Sequence, residues 1–231
     1  MQPELQTTNT GYGGVEIAPE SQKVLRNTYM LLALTMVPTI IGAYVGIQFA
    51  GVMMASPIIT MVVMLASVIG LQFAIVRFRD SAVGIGLLLL MTFLMGVFLG
   101  PLLNVALQMR NGMQLVGYAA AGTGIIFFGM GALAQTIKRD LSFMGKFLFV
   151  GMIALLVAMV ANMFLQIPAL ALTISSLVIV VFSMYLLYDL NRIIRGGETN
   201  YVLATTGVYL SLLNIFSSLL HLLMALGGEK D

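Results

Sequence analysis

The sequence predicts an all-α integral membrane protein with seven transmembrane helices, the last of which is central. Three observations lead to this fold class. Hydrophobic residues make up 60% of the 231 residues and charged residues only 9%, a composition far from that of soluble domains. Apolar runs close to the length of about 20 residues that spans a bilayer recur along the chain. The last of these runs carries a polar stripe, which needs protein beside it in a membrane.

The polar stripe lies on one face of the last predicted span, residues 201–226. Its members recur in steps of three and four residues, which places them in one line along a helix. They are all small or polar: Asn200, Ala204, Gly207, Ser211, Asn214, Ser218, His221, Ala225 and Gly228. Small residues let helices approach closely in lipid, and polar side chains turn toward protein. The stripe therefore predicts that this span is the central helix of the bundle.

The spans divide the chain into two parts. The predicted spans are residues 28–50, 54–76, 82–109, 113–137, 143–165, 169–188 and 201–226. Residues 1–26 are polar and cannot bury enough apolar area to offset their ordering entropy, so we expect a mobile cytoplasmic N-terminal tail. Residues 27–231 are expected to form one seven-helix transmembrane domain. The connections at 51–53 and 166–168 are short enough to predict tight helical hairpins.

Basic residues are concentrated in alternate connections. One side holds Lys23, Arg26, Arg77, Arg79, Lys138, Arg139, Lys146, Arg192 and Arg195, and the other holds Arg110 and Lys230. The positive-inside rule then predicts a cytoplasmic N-terminus and a periplasmic or extracellular C-terminus. The net charge of +2 comes from these few loop residues. It indicates membrane topology and not nucleic-acid binding.

Several classes of chemistry have no candidate residues in this sequence. Cysteine is absent and there is one histidine, which excludes disulfides and Cys-ligated metals and argues against a His-built metal site. No carboxylate pair, Ser/His/Asp set or HExxH motif is present. The glycine-rich stretches at 122–124 and 129–131 lie inside the fourth span and indicate close helix packing. We therefore expect a non-enzymatic protein without a cofactor or bound metal.

Asp189 is the most conspicuous charged residue, because it follows an apolar run at the cytoplasmic end of the sixth span. A charge at the bilayer centre costs about 2.5–3.5 kcal/mol on insertion scales, and less toward the interface. One interpretation is a proton-sensitive latch or a cation ligand. The other is an interfacial aspartate paired with Arg192 or Arg195.

Two charged connections also stand out. Asp140, in the stretch 138–143, is expected to cap the helix of the fifth span. In the connection 195–201, two glycines release the sixth helix, and Glu198 or Thr199 is expected to start the seventh near its positive dipole end. This second connection is equally consistent with a turn that positions the last helix and with a partner-contact loop. The candidate partner-contact residues are Glu198, Thr199 and Asn200.

The combined pattern resembles the Bax-inhibitor (transmembrane Bax inhibitor motif) family. The matching stretches are Lys-Arg-Asp-Leu-Ser-Phe at 138–143, Leu-Tyr-Asp-Leu-Asn at 187–191 and Gly-Gly-Glu-Thr-Asn-Tyr at 196–201. The stretches 23–29, 100–104 and 161–166 add a resemblance to the bacterial YccA type of this family. The resemblance implies a seven-helix fold whose last helix is wrapped by the other six. For the YccA type it implies an inner-membrane protein that binds and modulates an FtsH-type ATP-dependent membrane protease.

The family resemblance also implies an alternative function, a pH-sensitive calcium or proton leak. In that scheme two aspartates share a proton and latch onto an arginine. The first aspartate corresponds to Asp189, but the second falls at Ser211, so the mutual titration of two carboxylates is lost and the leak is weakened. Either Arg77 or Arg79 remains a candidate partner for Asp189. The candidate gate and ion-pathway residues are Asp189, Ser211, Arg77, Arg79 and Asn214.

Overall fold

A computed structural model describes residues 18–227, and the helices in this part of the chain are eight. They are α1 Pro19–Gln48, α2 Ala50–Ala55, α3 Pro57–Phe78, α4 Ala82–Leu107, α5 Gly112–Thr136, α6 Met144–Leu165, α7 Pro168–Ile194 and α8 Tyr201–Gly227. Seven of them, all except α2, are long and apolar enough to cross a membrane. Between residues 18 and 227 there is no strand. The predicted all-α class with seven spans is confirmed.

Helix α1 begins earlier than predicted, so residues 19–26 of the predicted tail are helical. A proline at the first helical position and Glu20 in the first turn both favour a helix start. Ser21 is 5% exposed because the first turn packs against the connection between α7 and α8. Residues 1–17 of the predicted tail lie outside the described residues.

The two short connections differ from each other. Residues 51–53 are not a loop but part of α2, which is separated from its neighbours at Phe49 and Ser56. The Thr60 hydroxyl of α3 donates to the Met53 carbonyl at 2.9 Å and holds this step in place. Between α6 and α7 the turn is tight, as predicted. There Gln166 adopts a left-handed conformation with φ 52°, and Asn162 Oδ1 accepts the Ile167 N–H at 3.1 Å.

Helices α1 and α4 pack closely through glycines that face each other. A β-carbon on Gly42 would overlap the Phe93 carbonyl, and one on Gly100 would overlap the backbone of Gly46. The spacing of four residues between Gly42 and Gly46 matches the small-residue pattern that brings membrane helices together. This pair of helices was not singled out in the sequence, where close packing was expected of α8 and of the glycine-rich stretches in α5.

Helix α8 contacts α1, α3, α4, α5 and α7, while α6 packs against α7 on the outside of the bundle. The polar stripe of α8 faces α7. Gly207 lies against Asp189, and His221 Nδ1 forms a hydrogen bond of 2.8 Å with Ser175 Oγ. On another face of α8 the buried Tyr209 hydroxyl donates to the Thr92 carbonyl of α4 at 3.2 Å. Side chains of α8 thus connect several helices.

Candidate functional site at the basic end of the bundle

Four connecting regions meet at one end of the bundle, which we call the basic end. They are the start of α1, the α3–α4 turn, the α5–α6 loop and the α7–α8 turn. The nine basic residues that the sequence places on one side lie in these regions or in the adjoining helix turns. Contacts from the α7–α8 turn reach the other three regions. The connections at this end therefore form one structured surface.

The α7–α8 turn is shaped by two glycines after α7. Gly196 has φ +75°, which favours glycine because a β-carbon is strained there. The N–H groups of Gly197 and Glu198 donate to the Arg192 carbonyl at 2.8 and 3.2 Å. These bonds satisfy a carbonyl at the end of α7 that has no intrahelical partner. The chain is thereby reversed over a few residues, as the glycines predicted.

Glu198 is bound inside this turn. Its Oε2 lies 3.4 Å from Arg192 Nη2, and its Oε1 accepts the backbone N–H of Asn200 at 3.0 Å. The Arg192 guanidinium also donates to the Gly197 carbonyl at 3.2 Å and lies 5.5 Å from the centre of the Tyr188 ring. The carboxylate of Glu198 therefore stabilises the shape of the turn.

Asn200, and neither Glu198 nor Thr199, caps α8, which corrects the expected helix start. Its Oδ1 accepts the N–H groups of Val202 and Leu203 at 3.0 and 3.1 Å, the contacts of an N-cap residue. Asparagine is well suited to this role because its amide also donates: Nδ2 bonds Asp80 Oδ1 at 2.8 Å and the Arg79 carbonyl at 3.1 Å. Asn200 thus joins α8 to the α3–α4 turn. Of the three candidate partner-contact residues, Thr199 is the exposed one.

Asn191 of α7 and Arg195, the residue that follows this helix, hold the α5–α6 loop, and sequence reasoning did not assign either of them this role. Asn191 is fully buried; its Oδ1 accepts the Leu141 N–H at 3.1 Å and its Nδ2 donates to the Arg139 carbonyl at 3.3 Å. Arg195 Nη2 donates to the Ile137 carbonyl at 2.6 Å. The available signal was the position of Asn191 at the end of the conspicuous stretch 187–191.

Asp140 organises the loop itself and does not cap α6, whose N-cap residue Phe143 makes no side-chain capping bond. Instead Asp140 Oδ1 accepts hydrogen bonds from the Ser142 hydroxyl at 2.6 Å and the Ser142 N–H at 2.8 Å. These bonds favour the ionised carboxylate and hold the pKa of Asp140 below its usual value. The predicted cap is wrong because the chain makes one more turn before α6 begins.

Asp189 lies inside α7, since this helix runs six residues beyond the predicted end of the sixth span. Its carboxylate packs against Gly207 of α8, where an added β-carbon would lie 2.7 Å from Oδ2. Ser211 is buried one helical turn further along α8. Asn214 Nδ2 donates to the Leu210 carbonyl of its own helix at 2.8 Å. The structure brings Asp189 to the polar stripe, but no hydrogen bond links it to Ser211 or Asn214 within residues 18–227.

The two candidate arginines lie elsewhere on the basic end. Arg77 is exposed near the end of α3. Arg79 Nε lies 3.5 Å from Asp80 Oδ2 in an exposed ion pair. Neither forms an ion pair with Asp189. The described part of the chain also holds no group of three or more His, Asp or Glu residues suited to a metal ion.

Comparison with known proteins places the chain in a family. The family described as "Inhibitor of apoptosis-promoting Bax1" matches residues 21–228. The chain belongs to this Bax-inhibitor family. Its relatives include an uncharacterized membrane protein of Vibrio cholerae, 40% identical over 93% of this chain and 94% of the relative. Another is the Escherichia coli K12 protein named "Modulator of FtsH protease YccA", 39% identical over 88% of this chain and 90% of the relative.

The family match covers the described helices and connections from residue 21 onward. The Bax-inhibitor stretches at 138–143, 187–191 and 196–201 are the α5–α6 loop, the end of α7 and the α7–α8 turn. Asn191 joins two of them, because its side-chain amide bonds the backbone of Arg139 and Leu141. Much of the sequence signature of this multi-pass membrane protein therefore encodes how its connections are held together.

Proposed function

We propose that this chain is an inner-membrane protein that binds and modulates an FtsH-type ATP-dependent membrane protease. The observation that carries the proposal is the 39% identity, over nearly the full length of both chains, to a protein named as a modulator of that protease. The name "Inner membrane protein YccA" of a second Escherichia coli relative, also 39% identical, supports the cellular location. The absence of candidate catalytic residues in the sequence is consistent with a binding role.

The basic end is the surface we assign to the cytoplasm and to the partner. The positive-inside rule supports this orientation, because nine of the eleven Lys and Arg residues lie at that end. In the α7–α8 turn, Glu198 and Asn200 are occupied by internal bonds, so the turn has a fixed shape that exposes Thr199. A surface held in one conformation loses little entropy when it binds. The N-terminal segment, which continues from the same end, is the second element we assign to the protease.

We also infer that α8 is the central helix of the bundle and that it supports the connections of the basic end. Its contacts with α1, α3, α4, α5 and α7 support this placement. Within the described residues, α6 contacts α7 and not α8. In the proposed wrapping by six helices, α6 is therefore separated from α8 by α7. A central α8 links the shape of the α7–α8 turn to the packing of the whole bundle.

Co-purification with the membrane protease tests the proposal. The full chain, a variant lacking residues 2–17 and a Thr199→Arg variant are each isolated from membranes that contain the protease. The deletion ends before Pro19, so α1 keeps its first turn. We expect the full chain to co-purify with the protease and to slow its degradation of a membrane substrate. The variant that lacks residues 2–17 should no longer be engaged by the protease, and Thr199→Arg should weaken binding to it. A full chain that neither co-purifies nor changes degradation would refute the proposal.

A calcium or proton leak gated at Asp189 is the second candidate, and its support is narrower. It rests on one carboxylate that lies against α8 without a hydrogen-bond donor or an arginine partner among the described residues. Flux through the purified protein in liposomes, at mildly acidic and mildly alkaline pH, separates the two functions. A conduit predicts pH-dependent flux that Asp189→Asn changes. A protease modulator predicts no flux in either protein.

A further inference from the structure

A cavity of about 620 Å³ opens at the basic end, between the first turns of α1 and the α7–α8 turn. Its lining is mixed. Charged side chains come from Glu20, Lys23, Arg195 and Glu198, and an apolar wall comes from Val24, Ile194 and Tyr201. Glu198 and Thr199 of the candidate partner-contact loop are part of its lining, but neither function considered above places a ligand in the cavity. Its residues of both charge signs suggest a ligand that also carries both signs.

The level of the cavity in the membrane follows from the length of α1. This helix has 30 residues. At a rise of 1.5 Å per residue it is about 45 Å long, whereas the hydrocarbon core is about 30 Å thick. Polar and charged residues occupy its first turns, up to Asn27, and a long apolar stretch begins after them. The cavity therefore lies at the level of lipid headgroups.

Arg195 is part of the lining of this cavity, and one donor of its guanidinium has no acceptor among the described residues. Its Nη2 donates to the Ile137 carbonyl, which fixes the guanidinium, but its Nε is buried and has no hydrogen-bond partner among the described residues. A buried donor without an acceptor is costly, and such groups in native proteins usually meet a water or a ligand. An oxyanion is a fitting acceptor, because charge-assisted bonds from arginine to phosphate are strong.

The remaining charges complete a site for a zwitterion. Lys23 is exposed on α1 and offers a second cation for an oxyanion. Of the two carboxylates in the lining, Glu198 is already paired with Arg192, whereas Glu20, which is exposed on α1, has no ion pair among the described residues. It can accept hydrogen bonds from a primary ammonium group. The apolar wall suits the glycerol and first methylenes of a lipid.

We propose that this cavity binds the headgroup of an aminophospholipid that carries a phosphate and a primary ammonium group. Arg195 and Lys23 bind the phosphate, and Glu20 accepts N–H bonds from the ammonium. The bilayer itself supplies this ligand at the level of the cavity. A bound headgroup would join α1 to the α7–α8 turn and hold the basic end together from the lipid side.

The test measures lipid binding to the purified full chain in detergent, by native mass spectrometry and by lipid-dependent thermal stabilisation. Three probes differ in one feature each: phosphatidylethanolamine, phosphatidylcholine with its methylated ammonium, and phosphatidylglycerol without a cation. We expect phosphatidylethanolamine to bind about tenfold more tightly than phosphatidylcholine, the factor expected for one charge-assisted hydrogen bond. Glycerophosphoethanolamine and inorganic phosphate serve as soluble probes, which separate recognition of a lipid from capture of a free anion.

Variants connect the preference to the cavity. Glu20→Gln should remove the preference for phosphatidylethanolamine over phosphatidylcholine and leave phosphate binding intact. Lys23→Gln should weaken the binding of all three lipids by a similar factor. Lys146→Gln, an exposed lysine of the basic end outside the cavity, is the matched control and should change nothing. The proposal would be overturned if the native chain bound the three lipids equally. It would also be overturned if Lys146→Gln had the same effect as the cavity variants, or if the soluble probes bound without any lipid preference.

Discussion

The Asp189 carboxylate of α7 lies directly against Gly207 of α8. A β-carbon on Gly207 would lie 2.7 Å from Oδ2 and 3.2 Å from Cγ of Asp189. Glycine at this position therefore makes room for the one charged side chain that α7 carries before its last turn. The carboxylate is placed on the polar stripe by close helix packing, without any hydrogen bond or ion pair within the described residues.

Gly207→Ala is expected to displace the Asp189 side chain. Overpacking typically costs about 1–3 kcal/mol, and the value here should lie at the low end, because the obstructing atoms are at the end of a side chain that can rotate. Thermal unfolding in detergent measures the cost. In a double-mutant cycle, Asp189→Ala should remove most of the penalty of Gly207→Ala. Strictly additive effects of the two substitutions would contradict the contact.

Gly100→Ala is expected to be more damaging than Gly207→Ala. Its β-carbon would meet the backbone of Gly46 on α1, which cannot rotate away, so the two helices must separate. We expect a loss at or above about 3 kcal/mol, the upper end for overpacking. Gly124→Ala on α5 is the matched control, because a β-carbon there has no neighbour within 4 Å. The free energy of unfolding, measured in SDS-containing mixed micelles, should be similar for the native chain and Gly124→Ala and much lower for Gly100→Ala.

The sequence predicted what depends on composition and spacing, and missed what depends on contacts between distant residues. The seven spans follow from apolar length, and the face of α8 that meets α7 follows from the stripe that includes Gly207 and His221. The pairing of α1 with α4 could not be predicted. Gly42 and Gly100 belong to separate segments, and the sequence of neither segment indicates which helix packs against it. The same holds for Asn200, whose bonds to the α3–α4 turn join residues 120 positions apart.

Asn191→Ala is expected to release the α5–α6 loop. The substitution leaves the Leu141 N–H and the Arg139 carbonyl without their partners, at a cost of about 1–3 kcal/mol for each group that stays buried. Hydrogen–deuterium exchange at the Leu141 amide should become faster. Asn191→Asp is an informative comparison, since it keeps the acceptor for Leu141, removes the donor to Arg139 and adds a buried carboxylate. Unchanged exchange in Asn191→Ala would show that the loop is held by other contacts.

Asp140 should titrate below the usual range of aspartate, because the hydroxyl and N–H of Ser142 bond its ionised form. With a folded-state pKa below the unfolded one, this carboxylate stabilises the fold at pH values above the unfolded pKa. The contribution is lost as the pH falls through the folded pKa, so it is absent only in strong acid.

Ser142→Ala removes the hydroxyl donor and keeps the N–H donor, and it should raise the pKa of Asp140 part of the way to its usual value. Carbon-13 NMR of labelled aspartate measures the pKa of Asp140 in the native chain and in the variant. An Asp140 pKa that Ser142→Ala leaves unchanged would show that the hydroxyl bond does not set it.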